Sequence, residues 1–238
     1  MTSSIEFAPG LTVQGLTPPL NLRDFKLIAF DMDSTLINIE CVDEIADAAG
    51  RKAEVAAITE AAMRGEITDF KESLRRRVAL LKGVTEEHLA HVYRSRLRLN
   101  PGAAELVLAC KAAGLKVLLV SGGFTYFAER LRERLALDFA RSNQLEIIDG
   151  QLTGRMLDQS WGDICDGAMK RETLLRTCSL IGCSPSQAIA MGDGANDLEM
   201  MGVAGLSVAY HAKPKVRAQA KVAIDMGGLD RLLEVVQP

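Results

Sequence analysis

The chain has 238 residues, 48% of them hydrophobic and 25% charged, a composition that excludes disordered, collagen-like and disulfide-scaffold classes. Lysine and arginine number 28 against 31 acids, so the formal charge of −3 gives no electrostatic reason to expect nucleic acid or an anionic membrane as a partner, and a small-molecule substrate is the better expectation. No basic residue precedes Arg23, no apolar run approaches the roughly 20 residues of a membrane-spanning helix, and the five cysteines form an odd set without a C-x-x-C pair; a cytoplasmic protein with buried, functionless thiols is expected.

Residues 1–25, with Pro9, Gly10, Pro18 and Pro19 and no sustained period, read as an irregular N-terminal segment. The apolar run Leu27-Ile28-Ala29-Phe30, ending at Asp31, has the form of a parallel strand buried on both faces. Helical patterns then fill 41–99, with helices over 51–64 and 69–81, a block too long for a simple crossover and therefore an inserted helical cap. A helix over 103–113 leads to a second buried strand over 116–120. Ser121-Gly122-Gly123 follows as a tight turn, with a helix over 124–137. Asp149-Gly150 between 144–148 and 151–155 signals a β-hairpin flap. Strands over 188–191, 206–209 and 222–224 alternate with helices around 170–180 and 197–201. The expected fold is α/β: a doubly wound, mostly parallel sheet made of 26–40 and 100–238, with the cap inserted at 41–99 and the small hairpin flap appended.

Asp31 and Asp33 sit where the first strand ends, the edge at which open parallel sheets bind ligands. Carboxylates so placed repel unless a cation lies between them, one is protonated, or they diverge. Gly192-Asp193-Gly194-Ala195-Asn196-Asp197, after another buried strand, supplies two more acids to the same edge. Four converging carboxylates call for a divalent cation, and hard oxygen donors suit Mg²⁺. Ser121-Gly122-Gly123 offers a hydroxyl and backbone N–H groups to an anion, although one such turn is weak evidence by itself. His88 and His91 lack the intervening glutamate pattern of a zinc protease, and Arg94, Arg96 and Arg98 read as one solvated face.

Asp31-x-Asp33-Ser34-Thr35, Ser121-Gly122-Gly123, Lys170 on a later helix and Gly192-Asp193-Gly194-x-Asn196-Asp197, in this order, resemble the haloacid dehalogenase (HAD) superfamily of phosphohydrolases. Glu40, Val42-Asp43-Glu44-Ile45-Ala46, Ser73-Leu74-Arg75-Arg76-Arg77-Val78 and Ser-Gly-Gly-Phe124 look like its phosphoserine phosphatase family. The extra regulatory domain of some relatives is not expected in the short N-terminal segment.

The resemblance implies Asp31 as nucleophile, Asp33 as general acid and base, and Ser121, Gly122 and Lys170 on the phosphoryl oxygens. Asn196 would touch phosphate or substrate. It further implies Mg²⁺ held by the carboxylates of Asp31 and Asp193 and the Asp33 carbonyl, with Asp197 supporting Lys170 or a metal-bound water. Glu40 and Arg77 would read the ammonium and carboxylate of L-phosphoserine, beneath Met63 and Phe70 of the cap. The activity implied is hydrolysis of L-phosphoserine, the last step of serine biosynthesis. Another small phosphomonoester is the alternative, and a receiver-type phosphoacceptor domain a remoter one, since it needs neither Asp33 nor a cap.

Overall fold

The structure, a computed structural model describing residues 4–64 and 66–237, enters its sheet earlier than the sequence pattern suggests. The segment expected to be irregular contains β1 (Ser4–Ala8), β2 (Leu11–Gln14) and β3 (Leu20–Asn21). Leu11 and Val13 are buried, and β2 pairs antiparallel with a late strand through Leu11↔Ile224 and Val13↔Val222. Four residues of alternation are too short a signal to stand out between glycines and prolines, and tertiary pairing supplies what local pattern does not.

From there the order is β4 (Leu27–Phe30), α1 (Cys41–Ala48), α2 (Lys52–Met63), α3 (Phe70–Ala79), α4 (Glu86–His91), α5 (Ala103–Ala112), β5 (Lys116–Phe124) and α6 (Thr125–Leu135). The chain continues through β6 (Phe139–Ile148), β7 (Gln151–Leu157), α7 (Gly167–Ile181), β8 (Ala188–Gly192), α8 (Leu198–Val203), β9 (Leu206–Tyr210), α9 (Pro214–Arg217) and β10 (Val222–Ile224). One nine-stranded sheet results, in the order β1-β2-β10-β9-β8-β4-β5-β6-β7. Its six middle strands are parallel, and antiparallel strands close both edges. The α/β class and the mostly parallel sheet stand as read from the sequence.

Strand β4 is central because every one of its residues can be buried. Ile28 and Phe30 join the core on one face, with α5, α6 and residues of α1 and α3. Leu27 and Ala29 join the other, with Leu174 of α7 and Met200 of α8. From this centre the chain steps outward to β5 and β6, then returns to β8 on the opposite flank, so the order reverses beside β4. A crevice at the carboxyl ends of the strands is the consequence. Register aligns those ends: Phe30 pairs with Leu119 on one side and Met191 on the other, so Asp31 stands level with Val120 and Gly192.

Three further expectations require correction. Ser121-Gly122-Gly123 is not a turn after the strand but part of β5. Between the Val120↔Arg141 and Phe124↔Asn143 pairs, four steps on β5 match two on β6, and the surplus bulges toward the crevice. The hairpin is also less separate than expected, because β6 begins at Phe139 inside the main sheet. Asp149 and Gly150 do occupy the positive-φ tip, but Gly83 N–H donates to the Leu152 carbonyl (2.7 Å) and Leu152 N–H to Val84 (2.8 Å), tying β7 to the helical segment. Arg96 departs from a solvated face as well. It lies in one wide helical turn, Val92–Arg96, and pairs with Glu44 (2.8 Å) and Asp47 of α1.

Candidate active site

Asp31 leaves β4 with its N–H donating to the Met191 carbonyl at 2.9 Å, the last step of the β4–β8 ladder. The chain then turns sharply over Met32–Leu36, with Ser34 in the left-handed region (φ 55°), so Asp31 and Asp33 both face the crevice. Lys170, fully buried on α7, donates to Asp31 Oδ1 (2.6 Å) and Asp197 Oδ1 (2.7 Å). Burial opposes an ammonium there, but the two carboxylates outweigh it and hold Lys170 charged well above its ordinary range. Asp166 caps α7 by accepting from Met169 N–H (2.9 Å), which fixes the turn from which Lys170 projects.

The acids differ in their surroundings. Burial, then the negative charge of Asp197, pushes Asp31 well upward despite Lys170. Burial and the nearby Glu40 push Asp33 up to about 7. Its Oδ2 accepts from Cys41 N–H (3.1 Å), and its buried Oδ1 has no partner among the described residues. Burial, Asp197 and Glu40 raise Asp193 to about 6. Asp197 is fully buried, with Oδ1 taken by Lys170 and Oδ2 by Gly194 N–H (3.0 Å).

Oxygens of Asp31, Asp193 and Asp197 lie within 4.8 Å of one another. Such crowding, with one ammonium against several acids, suits a hard divalent cation, and the all-oxygen donor set fits Mg²⁺. Because both oxygens of Asp197 are occupied, Asp31 and Asp193 are the better candidate ligands and Asp197 the support of Lys170.

Ser121 is buried, and its Oγ accepts from Gly123 N–H (2.8 Å). A Cβ on Gly123 would sit 2.6 Å from Met32 Cε and 3.2 Å from Asp33 Oδ2; one on Gly122 would lie 2.9 Å from Phe70 Cζ. Only glycine lets this bulge approach both the acids and the start of α3. Phe70 therefore lies over the Ser-Gly-Gly segment. Glu40, at the entrance to α1, is exposed and accepts from Ser34 Oγ (2.7 Å). Of the three arginines on α3, Arg75 pairs with Asp163 and Arg76 with Glu72 (2.7 Å), whereas the buried Nε of Arg77 has no partner among the described residues. Asn196 is half-buried beside Gly194. Met63 ends α2, and its side chain lies outside the described residues.

A profile described as haloacid dehalogenase-like hydrolase matches residues 25–205. The chain belongs to this family. It is 75% identical, over 98% of both chains, to a phosphoserine phosphatase of Polaromonas sp., and 72% identical to that of Albidiferax ferrireducens over 97% of this chain and 98% of the relative. A solved structure described as a phospho-aspartyl intermediate analogue of phosphoserine phosphatase matches at TM-score 0.82 and 38% identity, covering 90% of this chain and 99% of that one. Among the described residues no helix is long and apolar enough to cross a membrane.

Two residues around this HAD site, Asn100 and Asn143, escaped the reading of motifs, and a third, Thr35, was read within a motif but given no role. Thr35 Oγ1, fully buried, donates to Asp193 Oδ1 at 3.2 Å. Asn100 donates to the carbonyls of Thr35 (2.8 Å) and Ile37 (3.0 Å), holding the loop that carries the two acids. Asn143, also fully buried, donates to the Gly122 carbonyl (2.7 Å) and accepts from Cys165 N–H (2.8 Å), joining the Ser-Gly-Gly bulge to the approach of α7. An asparagine within a strand is the one signal sequence offered, since the residue is depleted there and a buried one must be satisfied.

Proposed function

We propose that the chain is a Mg²⁺-dependent phosphoserine phosphatase working through an aspartyl phosphate on Asp31, with 41–99 as the cap that selects the substrate. The observation that carries this reading is the buried Asp31–Lys170–Asp197 bridge beside Asp33, in a chain 75% identical to a phosphoserine phosphatase over 98% of both chains.

Asp31, at the strand end, is the nucleophile: a carboxylate oxygen attacks phosphorus in line, the bridging P–O bond breaks, and the serine hydroxyl leaves. An alkoxide is a poor leaving group, so a proton delivered as the bond breaks is worth about 10²–10⁴-fold. Asp33 supplies it. Raised to about 7, it is substantially neutral near neutral pH, and its unpartnered Oδ1 is free to donate. Once ionised, the same group takes a proton from the water that hydrolyses the phosphoenzyme. Two acids of one turn thus divide the work through their environments.

Lys170, the Ser121 hydroxyl and the Gly122 N–H hold the non-bridging oxygens, whose charge must be matched in the transition state, with Asn196 nearby. The carboxylates of Asp31 and Asp193 and the Asp33 carbonyl would hold Mg²⁺, which supplies electrostatic stabilisation of phosphoryl charge. Glu40 meets the substrate ammonium and Arg77 its carboxylate, with Phe70 closing over the ligand. The test is phosphate release from L-phosphoserine, phosphothreonine, phosphoethanolamine and sugar phosphates, with and without Mg²⁺. Selective, Mg²⁺-dependent turnover of L-phosphoserine is expected; equal rates across the set would refute the substrate assignment.

A further inference from the structure

Away from the crevice, α7 ends in a complete Schellman motif. Gly182 takes the left-handed position (φ 72°, ψ 35°), Cys183 N–H donates to the Cys178 carbonyl (2.9 Å), and Gly182 N–H to Ser179 (3.3 Å). That pair of bonds brings together the side chains of the fourth-last residue of α7 and the residue after Gly182, positions usually given to an apolar contact. Here both are cysteines. Cys178 is buried, whereas Cys183 is half-exposed and lines an open cleft of about 440 Å³ whose wall also carries Lys26 and Lys116. The cleft gives a reagent access to one sulfur, and the lysines on its wall give an anionic reagent a positive flank. The other three cysteines are buried elsewhere.

We propose that Cys178 and Cys183 form a reversible intrachain disulfide by exchange with a low-molecular-weight disulfide. Cys183, as thiolate, attacks one sulfur of the reagent, whose S–S bond breaks and releases one thiolate; a mixed disulfide remains on Cys183. Cys178 then loses its proton and attacks the Cys183 sulfur, expelling the second reagent thiolate. Two cysteine thiols are oxidised and one reagent disulfide is reduced to two thiols. The new bond fixes the C-terminal end of the helix that bears Lys170. In the reduced protein burial, and then Cys183 itself, pushes the Cys178 thiol up to about 12, so the half-exposed Cys183 is the sulfur that opens the exchange.

The experiment uses the native full chain with oxidised glutathione as probe, followed by alkylation of remaining thiols, trypsin digestion and mass spectrometry. The peptide that follows Arg176 contains both cysteines and no other. It is expected to lose two hydrogens and to regain them with dithiothreitol, while Cys41, Cys110 and Cys165 stay reduced. Cys178→Ser is expected to leave a persistent glutathione adduct on Cys183, and Cys183→Ser to give neither adduct nor closure. A wild-type peptide that stays reduced, or one that keeps a stable glutathione adduct without closing, overturns the proposal.

Discussion

Replacing Arg77 by alanine separates substrate recognition from chemistry and from folding. In the free protein the cost should be small. Arg77 makes no ion pair within 4.0 Å, its Nε is a buried donor without a partner among the described residues, and an unsatisfied donor of that kind costs about 1–3 kcal/mol to keep. What is lost is packing and the attraction that holds down Asp43, whose carboxyl burial already raises. A stability change within about 1 kcal/mol follows, or roughly 2–4 °C in Tm for a chain of this size. Turnover of L-phosphoserine should fall much further, because a carboxylate buried against a missing guanidinium loses about 2–5 kcal/mol, roughly 30-fold to several-thousand-fold in kcat/KM. The assay compares L-phosphoserine, phosphoethanolamine and an aryl phosphate on wild type, Arg77→Ala and Arg75→Ala, with a melting curve for each. Phosphoethanolamine has no carboxylate, so it should start poor and lose little. Arg75, itself exposed and paired with half-buried Asp163, should matter little to any of the three substrates. Proportionate loss across all three compounds, or a melting point lowered by much more than a few degrees, would refute the reasoning and make Arg77 a support of the cap.

Asp31→Asn should remove turnover while leaving the fold intact, and peptide mapping of wild-type enzyme quenched during turnover should find phosphate on Asp31 rather than Ser121. Lys170→Met should destabilise the protein by about 3–5 kcal/mol in denaturant titrations at neutral pH, because Asp31 and Asp197 lose their shared cation. Asn100→Asp retains the shape but loses both donated hydrogen bonds to the acid-bearing loop, so kcat should fall while KM changes little; a pure KM effect would place Asn100 outside positioning. Asp138→Asn tests the fold alone. Its carboxyl is held below the usual range because, against the penalty of burial, it accepts from Lys116 (2.7 Å) and Val117 N–H (2.9 Å). A depressed acid stabilises above its unfolded pKa and loses that contribution as pH falls through the folded one. The variant should therefore be about 1 kcal/mol less stable at pH 7, with the gap closing below about pH 4.

The catalytic edge was legible because it follows from period and position. Buried runs ending in acids are strands whose carboxyl ends carry chemistry, and the register that levels Asp31 with Gly192 brings together Asp31, Lys170 and Asp197 at hydrogen-bond distance. Ser121-Gly122-Gly123 looked like a turn because two glycines usually break a strand. Pairing with β6 carries the extended backbone past them as a bulge, a non-local effect that no window of sequence contains. The same holds for β2, whose partner β10 is some 200 residues later, and for Asn100 and Asn143, whose worth lies in carbonyls far along the chain. The unpaired state of Arg77 was invisible too. Three consecutive arginines read alike until Asp163 and Glu72 claim two of them.

The two ends of the proposed cap meet at one place. Asn38 N–H donates to the Arg98 carbonyl (3.0 Å), Arg98 N–H to Asn38 Oδ1 (2.7 Å), and Ile37 bridges to Leu99, so the chain leaves and re-enters the core through a two-stranded neck. The neck starts four residues after Asp33 and ends at Asn100, whose amide grips Thr35 and Ile37. A tilt of the helical segment about this neck therefore acts first on the loop that holds Asp33 and on Thr35, the donor to Asp193. The helical segment also reaches Ser121-Gly122-Gly123 and the start of α7 directly, through Phe70 over Gly122 and Lys71 on Asp163 (2.9 Å) and Asp166 (3.5 Å), so such a tilt bears on the proposed phosphoryl cradle as well as on the acid-bearing loop. On the proposed roles, substrate binding at Glu40 and Arg77 is thereby coupled both to the proton donor, through the neck, and to the phosphoryl cradle, through Phe70. Substitutions in the neck should consequently lower the rate for L-phosphoserine, while weakening the binding of inorganic phosphate less than Ser121→Ala does, because that variant removes a proposed phosphate contact outright.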